Sequence, residues 1–353
     1  MKYLIVQDWP NTHGNHAGMV HMCEMLCKKY TDTFRMLVKP CPRELPKHKG
    51  IIGKFLGRCD RQRYRKQFVS EYFDLCQPMF ANLKKGDEVF LLEYHLPYTT
   101  QFELARYIHS SYLEVIVYAL SHLTPMWYRH HRGSEKMILE WEKVIDKQLT
   151  LGGSLTQYFV SIGIPETKLS TGFHYVDNEY YAPEGVALHD RPTVIVMGAL
   201  QRDFMLISDI INGCPDVRWI VCKGHANIDR LFEGLDNVEL MGFMDEDELR
   251  YQMSRADISL NVLEDTVGSN VITTSMAMGL AIVVSDVGSI HDYCSVENAV
   301  FCENKVQPFV DAINGLASNP ELLLSKREGA YRKSKDFGIE NIYKWFNNLY
   351  VTK

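Results

Sequence analysis

Gly268-Ser269-Asn270-Val271-Ile272-Thr273-Thr274-Ser275-Met276-Ala277-Met278-Gly279 is the stretch that decides the fold, together with Leu280-Ala281-Ile282-Val283-Val284 and Ser285-Asp286-Val287-Gly288-Ser289 behind it. The first part predicts a loop, a helix start and a short buried helix. The apolar run predicts a strand, and the last five residues a turn. Gly268 permits tight backbone geometry. Ser269 is a good N-cap, with Asn270 the next choice. A helix beginning there leaves amide groups unpaired, with the positive end of its dipole behind them. That suits a phosphate. The same residues also fit an ordinary capped helix between two strands.

Outward from this stretch, strands and helices alternate along the chain, which predicts an α/β fold. Strands are expected at 3–7, 34–38, 88–92, 113–120 and 146–150. Helices are expected at 19–30, 68–83, 99–110 and 154–162, the last with Ser154 as N-cap. The polar, helix-breaking residues 184–192 permit a domain boundary. Alternation restarts with strands at 193–197, 219–222, 238–240 and 256–260 and a helix at 245–253. Helices at 306–318, 321–337 and 339–350 close the chain.

Composition bounds the function. The chain has 353 residues, 46% hydrophobic and 23% charged, which suits about two soluble domains. A net charge of −6 argues against a general nucleic-acid binder. The nine cysteines have no C-x-x-C pairing, so reduced thiols in a cytoplasmic protein are expected and zinc ligation is not. The N-terminal apolar run is too short for a signal-peptide core. No run reaches the ~18 apolar residues of a membrane span.

Residues 41–68 interrupt the alternation. Lys47, Lys49, Lys54, Arg58, Arg61, Arg63, Arg65 and Lys66 are interleaved with Ile51, Ile52, Phe55, Leu56 and Tyr64, and Asp60 is the one acid between Lys47 and Lys66. Such a segment suits an anionic membrane surface or a phosphate-bearing acceptor. It also fits a solvated loop and helix face.

Ser275-Met276-Ala277-Met278-Gly279-Leu280-Ala281-Ile282-Val283-Val284-Ser285-Asp286-Val287-Gly288 resembles the "EAMAxGxPVVxSDVGG" signature of GT-B glycosyltransferases, above all the retaining family-four enzymes, also called glycosyltransferase group 1. Residues 168–183, from Lys168-Leu169-Ser170 to Tyr181-Ala182-Pro183, are similar to that family's interdomain segment "KVxVIPNGVDxxxFxP". Residues 242–262, beginning Gly242-Phe243, are similar to its "GYVPxEELxxLYxxADVFVLPS". The family places two glutamates eight residues apart before the signature. Here those positions are Thr266 and Thr274, with Glu264 and Asp265 just upstream as substitutes for the first only.

The resemblance implies two Rossmann-like domains facing a cleft: an acceptor domain, 1–183, and a nucleotide-sugar domain, 184–338, with the terminal helix 339–353 packing back on the first. It implies transfer of a sugar from a nucleotide-diphosphate sugar to a saccharide or a lipid-pyrophosphate-linked saccharide, with retention, in cell-surface polysaccharide assembly. The protein would be cytoplasmic, or peripheral at the inner face of a membrane. No metal and no cofactor are expected, because basic side chains and a helix N-terminus would neutralise the leaving diphosphate. The donor-site residues implied are Gly198, Arg202, Lys223, Gly242, Phe243, Glu264, Gly268, Ser269, Asn270, Val271 and Thr274. Gly14, His16 and Gly18 become cleft candidates. Glu93, His95 and His122 stand just past the C-terminal ends of predicted strands, where open α/β sheets gather ligands. His122 would reach the transferred sugar and, with Arg202, is the catalytic candidate. His130-His131 reads as a polar helix face.

Three other readings remain. An inverting transferase would need a general base, which Asp8, His13, His16 or Glu93 could supply. An epimerase would share the phosphate cradle. A GT-B-like binding protein without catalysis would account for the two threonines. A dehydrogenase is disfavoured, because no G-x-G-x-x-G follows a strand.

Overall fold

The computed structural model describes all residues except 11, 13, 42–49, 97–100, 184–188, 190 and 350–353, and the side chains of 51 and 52. The chain divides into two compact units, one of Met1–Leu151, Leu155–Gly172 and Phe346–Lys353, the other of Gly152–Ser154 and Phe173–Trp345. The second unit thus takes in residues ahead of the expected start at 184. The reason is local: the Val176 amide donates to the Phe337 carbonyl at 3.0 Å, and Ser334 Oγ donates to Asn178 Oδ1 at 3.0 Å.

The strands of the first unit are β1 (Lys2–Gln7), β2 (Phe34–Lys39), β3 (Glu88–Leu91), β4 (Ile116–Ser121), β5 (Lys147–Thr150) and β6 (Leu169–Thr171). Between them run α1 (Met19–Lys29), α2 (Gly50–Phe80), α3 (Gln101–Ser111), α4 (Pro125–His130), α5 (Ser134–Trp141) and α6 (Gly153–Ser161). The sheet order is β2-β1-β3-β4-β5-β6, with every pair parallel. Leu4-Ile5-Val6 and Val89-Phe90-Leu91 are fully buried, as continuous apolar runs in a two-sided parallel sheet should be. Ile5, Val89 and Val117 join Phe68, Tyr72 and Cys76 of α2 and Leu104 and Ile108 of α3 in one core.

The second unit holds β7 (Thr193–Met197), β8 (Arg218–Cys222), β9 (Val238–Met241), β10 (Ile258–Asn261), β11 (Ala281–Ser285) and β12 (Ala299–Cys302). Its helices are α7 (Phe204–Asn212), α8 (Glu246–Ser254), α9 (Asn270–Ala277), α10 (Ile290–Tyr293), α11 (Val306–Ala317), α12 (Pro320–Ser334) and α13 (Ile339–Asn347). Its order is β12-β11-β10-β7-β8-β9, again all parallel. In each sheet the strand order reverses once, between β1 and β3 and between β7 and β10. Loops leaving the C-terminal ends of those strands diverge there, so each reversal opens a crevice.

Three sequence expectations need correction. Residues 41–68 are expected to interrupt the alternation, yet from Gly50 they belong to α2, which is continuous to Phe80. Its first turns bury little: Lys54, Arg58, Arg61, Arg63, Arg65 and Lys66 are all exposed, so no apolar stripe marks a helix until Phe68. Lys47 and Lys49 lie outside the described residues. Ser154 is not an N-cap. It lies inside α6, one residue after the start, with its hydroxyl 2.6 Å from Ser289 Oγ. The last helix ends at Asn347, and from Phe346 the chain belongs to the first unit. There the Phe346 ring stacks on Phe90 with centroids 4.5 Å apart, and its carbonyl accepts from Lys2 Nζ at 3.0 Å.

Candidate functional site

In the second unit, the loop after β10 and the start of α9 fold as their residues predict. Gly268 has φ +93°, and a Cβ there would lie 2.1 Å from Tyr293 Cζ, so the position accepts glycine alone. Thr266 Oγ1 accepts from the Gly268 amide at 3.0 Å, and the Ser289 amide donates to the Thr266 carbonyl at 2.8 Å. Ser269 caps α9, its Oγ accepting from the Val271 amide at 3.2 Å. The positive end of α9 therefore opens beside the β7–β10 crevice.

The loop after β7 meets it from the other side. Arg202 forms an antiparallel bridge with Leu263, and the Gln201 carbonyl accepts from the Glu264 amide at 3.0 Å. Gln201 has φ +53°, the one positive φ at a non-glycine among the described residues. A side chain in that conformation costs roughly 1 kcal/mol, and such strain collects at binding loops. Gly198 has φ +79°. A Cβ on it would come 3.3 Å from Val271 Cγ2 and 3.4 Å from Arg202 Nε, so the guanidinium lies close against the loop, next to the first turn of α9.

Arg202 Nη2 donates to Oδ1 of the buried Asn261 at 3.0 Å. Arg202 Nη1 is shut off from solvent and has no hydrogen-bond partner among the described residues. Burial lowers the guanidinium to about 10, so it remains charged at neutral pH. A buried cation with an unused donor is costly unless an anion meets it. Charge, dipole and topology thus converge on one spot.

The other donor-site candidates are placed as follows. Lys223, just past β8, pairs with Asp229, and this bond holds the Asp229 carboxyl below the usual range. Phe243 follows Gly242 just past β9, is 58% exposed, and stacks nearly parallel on His225 with centroids 4.5 Å apart. Glu264 is exposed. Thr266 spends its hydroxyl within its own loop, as above. Thr274 donates to the Asn270 carbonyl at 2.7 Å, one helical turn back. The hydroxyl is thus tied to the backbone of α9 itself.

In the first unit, Glu93 and His122 stand past the ends of the adjacent strands β3 and β4. Glu93 is 2% exposed, and its Oε2 lies 2.8 Å from His122 Nε2. Its Oε1 accepts from Trp9 Nε1 at 3.2 Å. Trp9 follows β1, so the three residues straddle the β1–β3 reversal. Burial pulls the His122 pKa down, but the Glu93 charge and hydrogen bond outweigh it, and the net shift is upward. His95 is placed differently: it is 1% exposed, bonded through Nδ1 to Ser121 Oγ, and stacked on Trp141 with centroids 5.7 Å apart. Burial lowers it to about 3, which makes it a neutral core histidine. Gly14 turns with φ +75°, and Gly18 precedes α1, where a Cβ would come 3.1 Å from the Asn15 carbonyl. The His16 ring lies 4.4 Å from that of His21. His13 lies outside the described residues. His131 caps α4 and stacks on Trp127 at 3.8 Å.

Sequence reading missed Trp9, Gln201, Asn261 and His225. Asn261 could have been found: an amide side chain closing the apolar strand Ile258–Asn261 needs a buried partner.

Residues 191–319 match the family model described as "Glycosyl transferases group 1". No curated protein matches the chain. Among solved structures, Anabaena HepE in complex with UDP and glucose is similar at TM-score 0.68 and 14% identity, covering 98% of this chain and 100% of that one. Sucrose-phosphate synthase from Thermosynechococcus elongatus is similar at TM-score 0.73 and 11% identity, covering 99% and 98%. A glycosyltransferase from Rickettsia africae reaches TM-score 0.68 at 12% identity, covering 98% of each chain. Residues 191–319 are therefore a glycosyl transferase group 1 domain, carried on a chain with the GT-B glycosyltransferase fold.

Proposed function

We propose that this glycosyltransferase moves a sugar, with retention, from a nucleoside-diphosphate sugar to a saccharide or lipid-linked saccharide acceptor, in cell-surface polysaccharide assembly. The observation that carries the donor site is the buried Arg202 Nη1, without a partner among the described residues, beside the N-terminus of α9. The diphosphate sits between them, the two positive groups neutralise it as it leaves, and no metal is required. UDP is the donor nucleotide we favour, supported by its presence in similar HepE. The exposed Phe243–His225 stack offers a face for the base, and His122 meets the sugar. The test is calorimetric titration with UDP and with uridine. Arg202→Ala is expected to weaken UDP about tenfold to a hundredfold, the ~1.5–3 kcal/mol of a lost charged hydrogen bond, and to leave uridine nearly unchanged. Equal loss for both would remove Arg202 from the phosphate site.

One observation favours a second reading, binding without catalysis: the Thr266 and Thr274 hydroxyls are both spent on backbone groups. A protein that binds UDP but neither hydrolyses nor transfers from UDP-sugars, with any saccharide acceptor offered, would establish that reading instead. We further propose that α2 brings the protein to an anionic membrane at the cytoplasmic face, where a lipid-pyrophosphate-linked acceptor would be held.

A further inference from the structure

Glu93 does more than neighbour the sugar-facing histidine. Its carboxylate is buried: Oε1 accepts from the Trp9 indole at 3.2 Å, and Oε2 lies at ion-pair distance, 2.8 Å, from His122 Nε2. The Glu93 amide donates to Gln101 Oε1 at 2.9 Å, which fixes the backbone behind it. A buried carboxylate is costly unless a cation meets it, and among the described residues His122 lies at ion-pair distance from it. We propose that Glu93 is a positioning residue for sugar transfer: it pairs with the His122 ring at its Nε2 side and keeps that ring doubly protonated, so that Nδ1 presents an N–H donor to a hydroxyl oxygen of the donor sugar. The proposal rests on the reading of His122 as the sugar-facing residue. The chemistry turns on one proton. A neutral ring that gives its single N–H to Glu93 offers Nδ1 as an acceptor, whereas the imidazolium offers it as a donor. The His122 side chain keeps 19% of its surface exposed, so the ring is not sealed from a ligand although it pairs with Glu93.

The surroundings leave this balance to Glu93. Burial acts against the imidazolium, and the Glu93 charge and hydrogen bond reverse it. His95, two residues on, is neutral. Cys23 of α1 and Tyr72 of α2 feel the Glu93 charge, but burial pushes both up and they stay uncharged. A raised histidine pKa means the donor form is complete below the ordinary value and is lost as pH rises through the raised one.

The test is the titration of the His122 Cε1 proton by NMR in the full-length protein, assigned by its loss in His122→Ala. The wild type is expected to titrate above ~6.5, the ordinary value. Glu93→Gln is expected to lower it and to move the alkaline limb of kcat down with it, with UDP affinity held within about twofold. Glu93→Asp should recover part of both. A wild-type value at or below ~6.5 overturns the proposal without any variant. So does a Glu93→Gln protein in which the titration or the alkaline limb stays where it was. Failure of the underlying reading looks different: His122→Ala with wild-type turnover removes His122 from the reaction, whatever its titration shows.

Discussion

Arg202 shows what a single side chain adds beyond charge. Its Nη2 is committed to Asn261 while Nη1 is not, so the fork is half used and aimed. Arg202→Lys keeps the charge and loses the fork. Calorimetry should then show UDP affinity reduced about tenfold, between wild type and Arg202→Ala; wild-type affinity would mean that charge alone acts there. His95 makes an opposite point about burial. It is neutral in the folded state down to about 3, whereas an unfolded chain protonates it below ~6.5. Between those values the unfolded state binds the extra proton, so stability rises with pH and is lost on acidification by about 1.4 kcal/mol per pH unit from this site. Urea unfolding of wild type and His95→Gln at pH 6 and pH 4.5 measures it: the difference between the two proteins should shrink or reverse at the lower pH, and an unchanged difference would refute the neutral histidine. At this scale, sequence reading recovered what is local. Gly268 and Ser269 announce a turn and a cap by their own chemistry. The Glu93–His122 pair was not legible, because β3 and β4 must lie side by side before residues 29 apart can meet, and each side chain alone suits a capped loop. The Lys223–Asp229 bond, only six residues apart in sequence, takes up a lysine expected to serve phosphate.

Among the elements, α9 is held as firmly at its rear as it is opened at its front. Arg327 of α12 is 3% exposed; its Nε donates to the Gly279 carbonyl at 2.8 Å, just past α9, and its Nη1 to Asp257 Oδ1 at 2.7 Å, just before β10. Asp257 is fully buried, and its Oδ2 accepts from the Thr193 amide at 3.0 Å, at the start of β7. One ion pair therefore ties together the two strands that flank the crevice and the helix that points into it. Removing one partner of such a pair strands the other charge, at about 3–5 kcal/mol. Arg327→Met should lower the unfolding free energy in urea by that amount, and adding Asp257→Asn should recover part of the loss. A single variant within ~0.5 kcal/mol of wild type, the range of an ordinary surface change, would show that the clamp is not structural. None of this was legible: Asp257 and Arg327 are 70 residues apart. Strands were legible where burial on both faces imposes a continuous apolar run, as in β7 and β11, and the first half of α2 was not, because solvent on most sides imposes no apolar pattern there.

Taken whole, the molecule separates its charge. The chain carries −6 overall, yet residues 47–66 hold eight Lys or Arg against one acid. In α2, Lys54, Arg58, Arg61 and Arg65 recur at helical spacing and so share a face, with Phe55 66% and Leu56 45% exposed nearby. Arg65 is partly engaged by Glu103 at 3.0 Å; Lys54, Arg58, Arg61, Arg63 and Lys66 are exposed. No helix among the described residues is long and apolar enough to cross a membrane. A surface of this kind binds an anionic leaflet reversibly, at roughly 1 kcal/mol per basic residue near the surface, with shallow insertion of the two apolar side chains adding to it. The sign of the net charge makes the prediction sharp, because the rest of the protein is repelled by such a leaflet and only a local, oriented face can bind. Sedimentation with vesicles containing phosphatidylserine should therefore capture the protein at low salt and release it steeply as ionic strength rises and the Debye length falls from ~30 Å at 0.01 M to ~10 Å at 0.1 M. Vesicles of neutral lipid should capture little. Replacing Arg58, Arg61, Arg63 and Lys66 by serine should abolish capture while UDP affinity stays at its wild-type value, since these residues and Arg202 lie in different units. Wild-type protein that stays in solution with anionic vesicles at low salt would return α2 to the role of a solvated helix, and the lipid-linked acceptor would lose its support.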